Sequence, residues 1–384
     1  MWNQILIEID LTCRAFDSTW QKRRRVVDTK IVVFFILELF NNRNSKNYSS
    51  TLSSVWSFFR GKASAKSNQL LPVVASTICD ARQKVDASIF SILNNRIIEI
   101  SQRHTPPEQI LWRGLNLFAI DGSKVNLPCN TGRLGFDFIS KNTDRPQGLL
   151  SCLYSVSSQV PFDFSLESHG DERLSALGHL KVCPPNSLVI YDRGYIGYLL
   201  LKEHAERGIF GLFRIQRGSF PAFQKFIDDP TCPAEQIAEV IPSIQSQNDM
   251  RKKNKKLIFY PIKMRLMRYK IEEKEYFLAT TLLDQSIPID EFKTNYHQRW
   301  SIEELYKKSK TLLNLESFHS KSLRGIRQEV FASLFLITMT RILTNQGEAV
   351  LLVASKSGPN TQPKKKSFQF ERAFLQSKSI SSML

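Results

Sequence analysis

The chain has 384 residues, 42% hydrophobic and 23% charged, enough apolar material for one large core with smaller units beside it, which excludes a disordered composition. Lys and Arg outnumber Asp and Glu by 53 to 36, a formal charge of +17, so a polyanion bound through counterion release is the favoured partner, with an anionic membrane surface as its competitor. The membrane reading is weak: the most apolar run, residues 31–40, is about half a bilayer span and contains Glu38. The basic stretch at 22–25 follows Glu8 and Asp10, and no small-residue cleavage site comes after it.

In chain order, the first hundred or so residues read as helical. Residues 31–40 fit a buried helix, 41–50 are polar, 53–61 form a short helix, 63–69 a loop, and 70–100 a helical stretch. Arg82, Lys84 and Arg96 give this region a basic character, so it reads either as small helices entering a DNA groove or as a helical cap on the main domain. Pro106-Pro107 marks a boundary. Beyond it come short apolar runs bounded by Gly or Pro, the texture of buried central strands: 115–120, 148–156 and 187–191, then a helix at 198–207 and further strands at 209–214, 256–265 and 276–283. The run Arg251 to Lys256 reads as a solvated loop, with phosphate contact as the sharper alternative. A long helix spans 289–310 and another 326–343. The tail is basic and Ser-rich: Lys364-Lys365-Lys366 is a solvated cluster and 368–375 starts another helix. The six cysteines stand singly, with no Cys-x-x-Cys pair, which argues against zinc and fits a reducing cytoplasm.

Two aspartates share one setting. Asp121 and Asp192 each follow an apolar strand and precede a turn residue, so on neighbouring strands they converge. Close carboxylates repel unless a divalent cation stands between them, and oxygen donors suit Mg²⁺ or Mn²⁺. Strand-end turn aspartates with no chemistry are the alternative.

The third element is more specific. On a wheel of about 100° per residue, Arg299, Glu303 and Lys310 fall within roughly 60° of Tyr296. One stripe thus carries a phenol, a guanidinium, a carboxylate and an ammonium. Glu304 lies about 80° off it, while Ile302, Leu305 and Leu312 face the core. A solvated face with pairs such as Glu303 and Lys307 explains the charges but not the stripe.

The ordered set Asp121-Gly122-Ser123, Asp192-Arg193-Gly194-Tyr195 and Tyr296-x-x-Arg299-x-x-x-Glu303-x-x-x-x-x-x-Lys310 resembles the DDE transposases of the insertion-sequence-four group, over residues 115–341. Ala81-Arg-Gln-Lys84 is similar to that family's amino-terminal segment. The resemblance implies an α/β fold with a ribonuclease-H-like mixed-sheet core, an inserted β-rich subdomain and an α-helical amino-terminal region. The expected division is 1–105 helical and DNA-binding, 106–207 first part of the core, 208–285 inserted strands, 286–350 second part of the core, and 351–384 tail. It implies Asp121, Asp192 and Glu303 as the metal-binding triad for two Mg²⁺ or Mn²⁺ ions. Tyr296, Arg299 and Lys310 would contact phosphates at the transposon end, and hairpin-forming cleavage is a further implication.

Arg193 would position a phosphate or tie down its own turn, and Trp300 would pack in the core or stack on an extruded base. Ser123 closes a turn. His169, Asp171 and Glu172 read as a solvated loop, with a supporting role beside a metal as the alternative, and His297 and His319 as surface or core residues. The implied partners are double-stranded DNA, as terminal inverted repeats and target, and a second copy of the chain, in the cytoplasm at the nucleoid. A metal-dependent nuclease that cuts without joining would need the same triad. A DNA-binding derivative that had lost catalysis would not need all three carboxylates. Family members continue with further helices where this tail ends in Ser-rich residues, the pattern of a truncated or frame-shifted copy.

Overall fold

The computed structural model describes residues 1–22, 25–40, 48–62, 73–137 and 143–356. The loop expected at 63–69, the Lys364–Lys366 cluster and the segment 368–375 lie outside the described residues.

Five helices come first: α1 (Trp2–Trp20), α2 (Thr29–Glu38), α3 (Tyr48–Lys62), α4 (Ala75–Arg82) and α5 (Ser88–Arg103). Asp28 caps α2 by accepting from Ile31 N, and the apolar helix that follows is buried on every side. The helical stretch expected at 70–100 is therefore two helices, with Asp86 accepting from Ser88 N at the start of the second. A short turn, α6 (Pro107–Ile110), leads to the hairpin of β1 (Leu111–Trp112) and β2 (Leu115–Asn126), whose two linking residues, Arg113 and Gly114, both have positive φ.

β2, β3 (Gln147–Ser155) and β4 (Val160–Glu167) pair antiparallel in sequence order. Helix α7 (Glu172–Leu180) crosses over to β5 (Ser187–Tyr191), which lies parallel to β2, and α8 (Tyr198–Arg207) crosses to β6 (Phe210–Arg214), parallel to β5. The order β4-β3-β2-β5-β6, antiparallel on one side of β2 and parallel on the other, is the ribonuclease-H-like mixed sheet expected of the core.

Next come α9 (Pro221–Asp228), β7 (Glu235–Val240), α10 (Ile244–Lys253), β8 (Ile262–Ile271) and β9 (Lys274–Thr280). β9 pairs antiparallel with β6, so β9, β8 and β7 lengthen the same sheet. The strands that follow β6 thus continue the central sheet. Arg251 to Lys253 form the last turn of α10, where cations complement the helix dipole, and the strand expected from 256 begins at Ile262. Helices α11 (Ile289–Gln298), α12 (Trp300–Thr311) and α13 (Leu323–Lys356) follow.

Strand alternation separates two cores. Leu117 and Ala119 of β2, with Leu188 and Ile190 of β5, join the core shared with α1 to α5 and α11 to α13. Phe118 and Ile120, with Val189 and Tyr191, join the core beneath α7, α8 and α9. The amino-terminal helices are therefore a cap on one face of the sheet. Arg82 does not belong to an exposed basic face: it is buried, pairs with Glu329 at 3.0 Å and also donates to Gln328 and to the Gly325 carbonyl. A charge taken out of water needs such partners, and these lie some 240 residues further along the chain. Arg96 pairs with Glu8 and Glu99, whereas Lys84 is exposed. No helix of the described residues is long and apolar enough to cross a membrane.

Candidate active site

Pairing register brings the two aspartates together. β2 and β5 pair from Asn116 with Ser187 to Ala119 with Ile190, and the same offset carried forward sets Asp121 beside Asp192, just past the last rung. By parity both belong to the face that α11 to α13 cover. Only Asp192 ends its strand; Tyr195 N donates to its carbonyl at 3.1 Å and closes the turn. Asp121 lies inside β2, opposite Cys152 of β3, and the strand runs on to Asn126. The expected turn at Gly122 and Ser123 is thus strand, because pairing with β3 outweighs the weak strand preference of Asp-Gly-Ser. Gly122 answers to packing: a Cβ there would fall 2.8 Å from Leu149 Cδ1 and 3.1 Å from Glu172 Cγ.

The helix expected at 289–310 is α11 and α12 with one residue between them. That residue, Arg299, keeps helical angles (φ −52°, ψ −32°), so the stripe survives the break. All four stripe residues face the carboxylate strands. Tyr296 Oη donates to Asp192 Oδ1 at 3.2 Å. Arg299 Nη2 donates to Glu303 Oε1 at 2.8 Å, and its Nη1 lies 3.6 Å from Asp121 Oδ2. Lys310 Nζ donates to Ser123 Oγ at 2.8 Å and to the Lys124 carbonyl at 2.6 Å. A further clamp had no sequence signal beyond its spacing: Tyr306, one turn past Glu303, donates to the Asp121 carbonyl at 2.7 Å. On the core side Ile302 and Leu305 are buried as expected, while Leu313 rather than Leu312 fills the last position. Lys307 pairs with Glu304, not with Glu303.

Burial pushes the Asp121 carboxyl up to about 6; a hydrogen bond from Gly122 and the charge of Arg299 oppose this, and Glu172 and Glu303 add to it. Burial, and then the Asp192 charge, push the Tyr296 phenol up to about 12, and burial lowers Lys310. Among the described residues no three His, Cys, Asp or Glu side chains are gathered tightly enough to hold a metal ion. Arg299 stands between Asp121 and Glu303, with its Nε buried and unpartnered. The donor set nevertheless fits a hard divalent cation: it offers carboxylate oxygens only, and their mutual repulsion is answered here by a single guanidinium.

Arg193 is exposed and makes no side-chain hydrogen bond or ion pair within the described residues, so it does not tie down its turn. Arg173 does so instead, donating from Nε to the Gly194 carbonyl at 2.8 Å. Trp300 is 56% exposed, which overturns the core-packing alternative; its ring lies 5.8 Å from the Arg299 guanidinium. It falls on the side of α12 away from Ile302 and Leu305, so the core does not reach it. Of the polar cluster at 169–172, His169 and Asp171 lie in a loop as expected, with exposed Asp171 capping α7 by accepting from Arg173 N and Leu174 N, while Glu172 is the first residue of that helix. His297 is exposed and His319 contacts Glu329, so neither adjoins the carboxylates.

A family model described as "Transposase DDE domain" matches residues 112–339, a span that includes all three carboxylates. The chain is also similar to a piggyBac transposase solved by cryo-electron microscopy as a synaptic complex with hairpin DNA. The identity is 13% and the TM-score 0.47, over 99% of this chain and 78% of that one. No curated protein matches.

Proposed function

The chain belongs to the transposase DDE-domain family, and on that footing we propose that it is a transposase of the insertion-sequence-four group, which binds the terminal inverted repeats of its element and cuts and joins DNA strands there. The observation that carries this reading is that one helical stripe meets both aspartates: Arg299 pairs with Glu303 and lies 3.6 Å from Asp121, and Tyr296 donates to Asp192.

Asp121, Asp192 and Glu303 would hold Mg²⁺ or Mn²⁺. Bound there, the metal supplies Lewis-acid activation of the attacking water or 3′-hydroxyl and of the leaving 3′-oxygen. The chain's own groups do the positioning. Tyr296 fixes Asp192 through its hydroxyl, and Tyr306 fixes the backbone of Asp121. Arg299, whose planar fork suits a phosphate, would hold one beside the carboxylates. Lys310 holds the β2 end through Ser123 and Lys124 and adds positive charge beside the path of the DNA backbone. Arg193 and Trp300, both exposed, would take a phosphate and an unstacked base.

The test is a strand-transfer assay with pre-cut terminal DNA and Mg²⁺. The wild-type chain should join ends to a target plasmid, and Asp192→Asn should abolish both cutting and joining. Cutting without joining would instead identify a nuclease on the same core, and full activity of the variant would refute the site.

A further inference from the structure

Asp192 stands one residue past the last rung of β5, where the chain leaves the sheet. Its carboxylate therefore takes its place from the turn that follows. Two hydrogen bonds hold that turn. Tyr195 N donates to the Asp192 carbonyl at 3.1 Å from within it. Arg173 Nε donates to the Gly194 carbonyl at 2.8 Å from outside it. The guanidinium lies along the turn, since its Nη1 would be 3.6 Å from a Cβ on Gly197.

The second bond comes from a firm base. Arg173 is in the first turn of α7, which Asp171 caps with its side chain. Ala176 and Leu180 of the same helix are fully buried, in one core with Val189 and Tyr191 of β5 and Tyr195 of the turn. His179 joins the helix to β3 and β4, through Ser151 Oγ at 3.0 Å and Asp163 Oδ2 at 2.7 Å. Arg173 itself is exposed and forms no ion pair among the described residues. A guanidinium fork suits a carboxylate or a phosphate, yet this one is spent on a neutral backbone carbonyl. That contact secures the backbone beside Asp192, while Tyr296 secures the carboxylate through Oδ1. The two supports come from opposite faces of the sheet, α7 on one and α11 on the other.

We propose that Arg173 is a positioning residue of the cutting site: it holds the turn after β5 so that the Asp192 carboxylate stays against Tyr296 and beside Asp121. It acts through the backbone and touches neither DNA nor the reacting atoms. This rests on the reading of Asp192 as a carboxylate of that site. The arginine that matters to the turn thus lies on α7 and not in the Asp-Arg-Gly-Tyr motif.

The test makes three measurements on the full chain: cutting of a duplex bearing the element's terminal repeat, at saturating DNA with Mg²⁺; affinity for that duplex; and amide hydrogen exchange without metal or DNA. Arg173→Met should slow cutting ~10-fold, the scale of a displaced reacting group, with affinity and melting temperature unchanged. The Tyr195 amide should exchange at least ~10-fold faster, while those of Leu188 to Ile190 keep their rates. Arg173→Lys, whose ammonium reaches the same carbonyl, should recover part of both. Normal cutting by Arg173→Met, with cutting lost in Asp192→Asn, would overturn this proposal alone. Full cutting by Asp192→Asn would overturn the site and this proposal with it. A defect that vanishes at saturating DNA, with weakened affinity and unchanged Tyr195 exchange, would make Arg173 a DNA contact and overturn the proposal. A lower melting temperature with faster exchange throughout β5 would assign Arg173 to folding and overturn it too.

Discussion

Arg299 and Glu303 meet at 2.8 Å one helical turn apart, and the same guanidinium reaches 3.6 Å toward Asp121, across from a separate strand. A single arginine thus occupies the gap that a metal would bridge. Arg299→Gln leaves two neighbouring carboxylates without a counter-charge. The expected loss is about 1–3 kcal/mol of stability in EDTA, below the full cost of a broken buried pair because Glu303 is 40% exposed. Millimolar Mn²⁺ should restore most of it, since the cation replaces the lost charge. Thermal melting with and without Mn²⁺ reads the difference; an equal deficit in both conditions would show that metal and guanidinium do not share the place.

The two tyrosines that brace the centre should separate by what they do. Tyr296 donates to a carboxylate of the triad, whereas Tyr306 donates to a buried backbone carbonyl. Tyr296→Phe should slow strand cleavage ~10-fold, the value of roughly 1.4 kcal/mol for a hydrogen bond to a charged acceptor, and leave melting nearly unchanged. Tyr306→Phe should lower stability by about 1–3 kcal/mol, because the Asp121 carbonyl loses its donor in a buried setting. Single-turnover cleavage rates and urea unfolding of the same preparations test the pair; a reversed pattern would refute the division of roles.

The helix stripe was the most legible part of the site, because 3.6-residue periodicity is local and Arg299 keeps helical angles through the break between α11 and α12. Asp192 was equally plain at the end of an apolar five-residue strand. Asp121 was found but misplaced, since Gly122 and Ser123 look like a turn and become strand only through β3. The sequence hid α7 for a related reason. His169, Asp171 and Glu172 read as solvated polarity, and the only available sign of a helix was Asp171 in a capping position. Strand β7 was missed because Glu235–Val240 is a largely exposed edge with only one fully buried residue. Arg82 was read as surface charge because its partner Glu329 lies on the last helix, and no local pattern joins the two.

Trp300 tests whether the rim of the site handles DNA. At 56% exposure its truncation to Ala should change stability by no more than about 0.5 kcal/mol. If the ring stacks on a base unpaired near the cleaved end, Trp300→Ala should weaken binding of a hairpin-ended duplex by about 1–3 kcal/mol, roughly 5- to 150-fold, and blunt duplex much less. Fluorescence anisotropy on the two DNAs measures this; equal affinity of wild type and variant for the hairpin would remove Trp300 from the DNA surface.

His204 links stability to pH beneath the strand that carries Asp192. It is fully buried on α8; its Nδ1 faces the Ile209 carbonyl at 2.9 Å and its Nε2 faces Tyr191 Oη at 2.9 Å. These partners assign Nδ1 as donor and Nε2 as acceptor from the phenol, the neutral tautomer. Burial lowers its pKa from 6.5 to about 4. The unfolded chain therefore binds more protons than the folded one between these values. The stabilisation is complete above pH 6.5 and is lost as pH falls through 4, by about 3 kcal/mol at most. His204→Gln carries no titrating group, so its stability should fall less over that window, although it starts lower from imperfect packing against Tyr191 and Phe213. Urea midpoints from pH 7 to pH 4.5 on both proteins decide the point, with every other titrating group common to the two. Parallel curves would mean that His204 does not resist protonation, and that the neutral Tyr191–His204 contact does not hold the end of β5 in place.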